Sequence, residues 1–160
     1  LELRLPVDVA LVGLPNSGKS SLLAAMTGAS PTIADWPRST REPALGPLED
    51  ADGNLYLAAD LPGLAADGIP RPDAHLGQLE RARVVLHCVD ASDPEPAADR
   101  IARAREGLRA QMPEGAREIV VATRADPAAP PSWAEAAVDS PGGAGVDALR
   151  ERVLAALGAA

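Results

Sequence analysis

The chain has 160 residues, enough for one domain with a real core and too few for two of ordinary size. Its 15 basic and 23 acidic residues give a formal net charge of -8, which excludes generic nucleic-acid binding through bulk charge. The single cysteine, Cys88, excludes a disulfide framework and fits a reducing cytoplasm, and no apolar run approaches the ~18 residues of a membrane span. With Trp36, Trp133 and Tyr56 as the only aromatic residues, the core must be built from closely packed Leu, Val, Ile and Ala. The chain opens on Leu1, and its first residues already lead into a core strand. The expectation is one domain over residues 1–160, cut from a longer polypeptide.

Residues 6–12 form a short apolar run between Pro6 and Gly13, the pattern of a buried parallel strand. Gly13, four further residues and then Gly18-Lys19-Ser20 follow, and residues 19–27 carry Leu22, Leu23 and Met26 at helical spacing before Gly28. Glycine at the two ends of such a loop allows successive backbone N–H groups to turn inward, and the helix that follows adds the positive end of its dipole. Strand, glycine loop and helix in this order make a phosphate cradle, with Lys19 reaching the terminal phosphates and Ser20 offering its hydroxyl to magnesium.

From Ala29 to Pro43 there is no periodicity, and the stretch reads as a loop. Leu45, Leu48, Leu55 and Leu57 flank Asp52-Gly53, a pair suited to a tight turn, so a hairpin is expected with one antiparallel strand at the sheet edge. The second strand ends at Asp60, followed by Leu61, Pro62 and Gly63. An aspartate at a strand's carboxyl end with a glycine three residues on is the second half of a nucleotide site, the carboxylate helping to hold magnesium and the glycine N–H meeting the terminal phosphate.

Gly68, Pro70, Pro72 and Gly77 argue against a helix before Leu76 and suit a mobile switch segment. Arg83 to Val89 is a further buried strand, with Cys88 a buried thiol and His87 a satisfied core residue. Asp93-Pro94 marks a helix start, Ile101, Ala104, Leu108 and Met112 form its apolar stripe, and its arginines face water. Ile119 to Ala122 is the next strand, with Thr123-Arg124-Ala125-Asp126 at its carboxyl end. Pro127 to Ala137 is too short for a helix with loops and reads as one turn containing Trp133. A final helix buries Val146, Leu149, Val153, Leu154 and Leu157. This alternation implies an α/β fold: a mostly parallel, doubly wound sheet with one antiparallel edge strand and helices on both faces. In such a sheet ligands sit beyond the strand carboxyl ends, where Gly13, Asp60 and Asp126 fall.

The segments Leu3 to Ser21, Ile33-Ala-Asp-Trp-Pro with Ser39-Thr40 and Pro43 to Gly46, Asp60 to Leu64, and Glu80 to Ser92 together resemble the G domain of the Obg family of bacterial GTPases, of the TRAFAC class of P-loop GTPases. Carried residue by residue, the resemblance implies that Gly13, Leu14, Pro15, Asn16, Ser17, Gly18, Lys19, Ser20 and Ser21 cradle the phosphates of GTP or GDP. Arg38, Ser39 and Thr40 belong to the first switch and Gly63 to the second. Magnesium is held by Ser20 and Thr40 directly and by Asp60 through water. Asp126 reads the guanine ring N–H and exocyclic amine, assisted by Thr123 and Arg124, and the backbone around Ser140 donates to the guanine carbonyl oxygen, within Asp139-Ser140-Pro141, where Pro141 has no N–H to give.

The groups implied in catalysis are Lys19, Thr40, Gly63 and Asn16. Ras-like proteins orient the attacking water with a glutamine after the aspartate-to-glycine motif, and this chain has Leu64 there, so slow hydrolysis is expected. The resemblance implies that Asn16 can ligate a potassium ion that acts as an arginine finger does. The alternative for Asn16 is a loop residue bonded only to neighbouring backbone. The base-reading motif Asn-Lys-x-Asp is here Thr123-Arg124-Ala125-Asp126, and threonine lacks the amide that braces the loops. The readings left open are a slow magnesium-dependent GTPase switch, cytoplasmic and linked through the full-length protein to assembly of the large ribosomal subunit; a degenerate nucleotide-binding or interaction module with weak guanine specificity and negligible turnover; and an adenine-specific relative.

Overall fold

In the computed structural model the described residues are 7–27, 32–33, 44–61, 64, 67–69, 82–110, 112–139 and 143–158. Among them the chain runs β1 (Val9–Val12), α1 (Lys19–Thr27), β2 (Thr32–Ile33), β3 (Ala44–Glu49), β4 (Leu55–Asp60), β5 (Val84–Asp90), α2 (Ala97–Leu108), β6 (Arg117–Thr123), β7 (Ala136–Ala137) and α3 (Val146–Gly158). One sheet holds the strands in the order β2-β3-β4-β1-β5-β6-β7. β1 pairs in parallel with β4 and β5, β5 with β6, and β6 with β7, while β3 runs against both β4 and β2. The expected α/β class and hairpin are therefore present, and β3 is the strand of opposite direction.

The alternation of side chains along β1 explains its continuous apolar run. Val9 and Leu11 face one core with Leu22, Leu23 and Met26 of α1 and with Val146, Leu149, Val153 and Leu157 of α3. Ala10 and Val12 face the other, with Ala59, Val85, and Ala104 and Leu108 of α2. A strand covered on both faces has no solvent side on which to place polar residues. Burying side chains such as Leu22 and Leu23 contributes about 1.5–3 kcal/mol each by area. Cys88 is buried, and burial pushes its thiol up to about 12, so it is a packing group and an inert nucleophile.

The hairpin turn is built by Asp50, whose carboxylate accepts from the backbone of Asp52 and Asn54 and from the Asn54 amide. Asp8, just before β1, ties onto β4: its Oδ2 accepts from Leu57 N at 2.9 Å.

Three expectations need correction. The helix expected from Asp93-Pro94 starts at Ala97, because the Asp93 carboxylate is occupied in a local turn with the Glu95 N–H. Not all arginines of α2 face water: Arg100 is buried, donating from Nε to the Glu95 carbonyl at 3.0 Å and from Nη1 to the Asp90 carbonyl at 2.7 Å. The stretch expected to be one turn ends in a strand, Ala136–Ala137, paired with Val121 and Ala122. The expected loop from Ala29 to Pro43 lies outside the described residues apart from Thr32–Ile33, which pair with β3. Trp133 is half-buried against Val89, Ile101 and Val120.

His87 is buried, with Nδ1 3.6 Å from Glu118 Oε2, and Arg105 donates to the same carboxylate at 2.6 Å. His87 and Arg105 together outweigh burial and hold the Glu118 carboxyl down at about 2. The contact to His87 is longer than a hydrogen bond, so Arg105 is the firmer of the two holds. A depressed folded-state value adds stability that is present above the ordinary glutamate range and lost as pH falls toward about 2. Thermal melts of wild type and Glu118→Gln should accordingly differ near neutral pH, with the variant less stable, and converge between pH 5 and 2; a gap independent of pH would contradict this assignment.

Candidate functional site

The loop after β1 emerges at the centre of the sheet, between the carboxyl ends of β4 and β5. Gly13 is required by space as well as by torsion, and Gly18 by torsion beside a tight approach. A Cβ on Gly13 (φ +154°) would sit 2.6 Å from the Cys88 carbonyl oxygen, and one on Gly18 (φ +88°) would sit 3.1 Å from Thr123 Oγ1. Asn16 adopts φ +63°, a left-handed conformation that asparagine tolerates better than most residues. The turn is closed by Ser17 N donating to the Leu14 carbonyl at 3.2 Å, and α1 begins with Leu22 N on the Gly18 carbonyl at 3.0 Å.

α1 carries no acidic residue in its first turn, so the positive end of its dipole is left to whatever anion occupies the loop. Lys19, the first residue of that helix, is half-buried and has no ion-pair partner among the described residues. Leu14 and Pro15 are half-buried, while Asn16, Ser20 and Ser21 are exposed.

At the mouth of the loop, Ser20 Oγ donates to Asp60 Oδ2 at 2.6 Å across 40 residues of sequence. Asp60 is itself buried, and its Oδ1 has no hydrogen-bond partner. A buried carboxylate oxygen with nothing to bond is costly unless an ion or water completes it. Hydroxyl and carboxylate are hard oxygen donors, and no group of three or more His, Cys, Asp or Glu side chains occurs together among the described residues. The set fits magnesium, which is held by few protein oxygens and completed by water and phosphate.

The other end of the site is joined to the loop by side chains. Thr123, fully buried at the end of β6, donates from Oγ1 to the Ser17 carbonyl at 2.6 Å. Threonine lacks an amide, yet the brace expected to be missing is made by its hydroxyl. Arg124, at φ +51°, donates from Nη1 to the Asn16 carbonyl at 3.1 Å and pairs with Asp90 Oδ2. Burial tends to raise the Asp90 carboxyl, but bonds from Ser92 and Arg124 outweigh it and hold the group below the usual range. Asp90 is the site residue that sequence reasoning missed. Its signal was the same as that of Asp60, an aspartate closing a buried strand.

Asp126 is exposed, with Oδ1 accepting from Ala128 N at 2.9 Å. Ala125 N donates to the Val138 carbonyl at 3.0 Å, which brings the Asp126 loop beside the turn at Asp139, where Asp139 N meets the Ala144 carbonyl at 2.8 Å. The residues expected at the first switch, Arg38, Ser39 and Thr40, lie outside the described residues, as do Trp36, Gly63, Ser140 and Pro141. Leu64 is described and buried, packed in the cluster with Leu61, Ala104 and Leu108.

Residues 8–124 match the family model described as 50S ribosome-binding GTPase. The chain is 46% identical over 102 residues to GTPase Obg of Synechococcus sp. (strain RCC307), a match covering 62% of this chain and 31% of that protein. It thus spans about a third of the length of that curated relative. Among solved structures, the G domain of the T. maritima FeoB iron transporter aligns with a TM-score of 0.67 at 25% identity, covering 94% of this chain and 98% of that one. Aquifex aeolicus Era bound to GDP.AlF4- aligns with a TM-score of 0.67 at 23% identity over 94% of this chain and 57% of that one, a likeness of fold alone.

The Thr123 brace is open to direct measurement. Thr123→Val keeps the shape but orphans the Ser17 carbonyl, and urea unfolding should show a loss of about 1–3 kcal/mol. Thr123→Ser, which keeps the hydroxyl, should lose less; equal losses would mean that packing and not the hydrogen bond holds the loops together.

Proposed function

Because the chain belongs to the 50S ribosome-binding GTPase family, we propose that it is a magnesium-dependent guanine-nucleotide switch of the Obg type with slow GTP hydrolysis. The observation that carries this reading is the Ser20–Asp60 pair at the mouth of the loop, with one Asp60 oxygen left for a metal-bound water. The backbone N–H groups of residues 13–20 and the amino terminus of α1 bind the phosphates, and Lys19 bridges toward the terminal one. Ser20 and Asp60 would hold magnesium, which would supply positive charge to the phosphates. Water attacks the terminal phosphorus in line with the leaving oxygen, and charge spreading over the transferring group is stabilised by the loop N–H groups and Lys19.

Leu64 cannot orient that water, since its side chain is apolar and buried in the core. Turnover is therefore slow, or draws on a further positive charge, for which the exposed Asn16 offers its amide oxygen to potassium. The first-switch Thr40 and second-switch Gly63 respond to the terminal phosphate, and its loss releases both segments. At the far end Asp126 takes the ring N–H and amine of guanine. The hydroxyl brace at Thr123 favours retained base recognition over the reading as a degenerate module, which rests on Thr123 and on Pro141, a residue outside the described ones.

No helix among the described residues is long and apolar enough to cross a membrane, and a cytoplasmic location is part of the proposal. So is a role for the longer protein on the large ribosomal subunit, with regions of the opposite charge making most of the contact, because this part carries a net charge of -8.

Titration with GDP, GTP and ATP, followed by turnover in potassium and in sodium, tests the scheme. Guanine nucleotides should bind tightly and ATP weakly, with hydrolysis faster in potassium. Equal or undetectable binding of all three would sink the reading, and turnover indifferent to the cation would remove Asn16 from catalysis. Lys19→Ala should lose nucleotide affinity by about a hundredfold or more while its thermal melt without nucleotide stays unchanged; unaltered affinity would contradict the phosphate-loop assignment.

A further inference from the structure

We infer that Gly107 of α2 is a positioning residue for the second switch: its missing side chain forms the notch into which the backbone at Gly68 docks. This dock steadies the chain next to the Asp60 motif for the terminal phosphate. The inference rests on the nucleotide-switch reading above.

Glycine is a poor residue for a helix, tolerated chiefly just past the carboxyl end, where it takes a left-handed conformation. Gly107 is not such a cap. It lies inside α2, and it is absent from the glycines with positive φ. Its reason is steric. A Cβ there would run into the carbonyl oxygen of Gly68 and would lie 2.9 Å from Leu64 Cδ2.

The fit is reciprocal. Gly68 has φ +85°, and a Cβ on it would lie 2.6 Å from the Arg103 backbone carbonyl oxygen. Arg103 and Gly107 are four residues apart and share one face of α2. Two glycines thus bring one backbone onto another at a distance that no larger residue allows. The Asp67 carboxylate accepts from Ile69 N at 2.9 Å and fixes the turn that presents Gly68.

Two further contacts extend the hold toward the phosphate site. Leu64 is buried in the cluster containing Ala104 and Leu108, and Leu61 is buried in the same cluster, with its N–H on the Leu11 carbonyl at 3.1 Å. The chain is therefore fixed at Leu61, at Leu64 and at Gly68, on both sides of the position from which the second switch would meet a terminal phosphate. Close backbone contact and one leucine make a dock that is specific in shape and weak enough to release. Holding the segment in place lowers the ordering cost of binding the terminal phosphate, and GDP, which lacks that phosphate, gains nothing from it.

The test compares GDP with a non-hydrolysable GTP analogue by titration in wild type and Gly107→Ala. GDP affinity should stay the same while affinity for the analogue falls roughly fivefold or more. Gly68→Ala attacks the other half of the contact and should act in the same direction, so failure of one variant to fold leaves the other as the test. Ala102→Gly, which weakens α2 at an exposed position, should leave the ratio of the two affinities unchanged. A ratio that stays constant in both glycine variants, or a parallel loss for both nucleotides, would overturn the inference alone, with the switch reading intact. Wild-type protein that binds neither nucleotide would overturn the switch reading and this inference with it.

Discussion

The hydroxyl of Thr123 against the carbonyl of Ser17 joins residues 106 positions apart, and the two halves of the site depend on it. Carboxyl ends of parallel strands crowd together, so the loops leaving β1 and β6 cannot both turn to water. The Ser17 carbonyl needs a donor from inside the protein, and a buried acceptor without one would cost about 1–3 kcal/mol. The close packing of Thr123 on Gly18 belongs to the same constraint, since a Cβ on that glycine would lie 3.1 Å from Thr123 Oγ1 and ask that side chain to shift by a few tenths of an ångström. What the position demands is a donor of the right reach, and a hydroxyl meets the demand. Arg124 repeats the logic at the surface, tying the Asn16 carbonyl to Asp90 and so adding β5 to the same joint.

The two-faced sheet gives this joint a rigid base and separates two tasks. α1 and α3 cover one face and anchor the phosphate loop. α2 covers the other, where Leu64 and Gly68 rest. On the switch reading proposed above, a change at the terminal phosphate would be felt first on the α2 side. Small residues at Ala10, Ala58, Ala59 and Ala122 let both layers come close to the strands, which suits a core without phenylalanine.

Much of the molecule could be read from its sequence, for physical reasons that also explain the errors. β1 and β5 were legible because burial on both sides leaves apolar residues almost throughout, with His87 the exception among the buried positions of β5, and the hairpin because Asp52-Gly53 favours a tight turn. β7 was not, since two alanines carry no period. The start of α2 was misplaced because Asp93 resembles a cap while its carboxylate serves a turn with Glu95. The burial of Arg100 depends on two carbonyl groups that only the folded chain presents to it. The site divides in the same way. The loop from Gly13 to Ser20 is a local motif and was visible, as was Asp60 at its strand end. The Thr123 brace and the part played by Asp90 arise from contacts between distant segments, which no local pattern encodes.

The burial of Leu64 has a consequence for how this domain could change over evolutionary time. A single substitution to glutamine would supply the group that orients water in Ras-like proteins. Here it would instead insert an amide among Leu61, Ala104 and Leu108, with a desolvation penalty of about 1–3 kcal/mol unless the segment left the core. Faster chemistry by that route would first have to dismantle part of the hydrophobic layer over α2. If the proposed GTPase reading holds, slow turnover would be built into the packing, and a protein arranged this way would keep time by its fold.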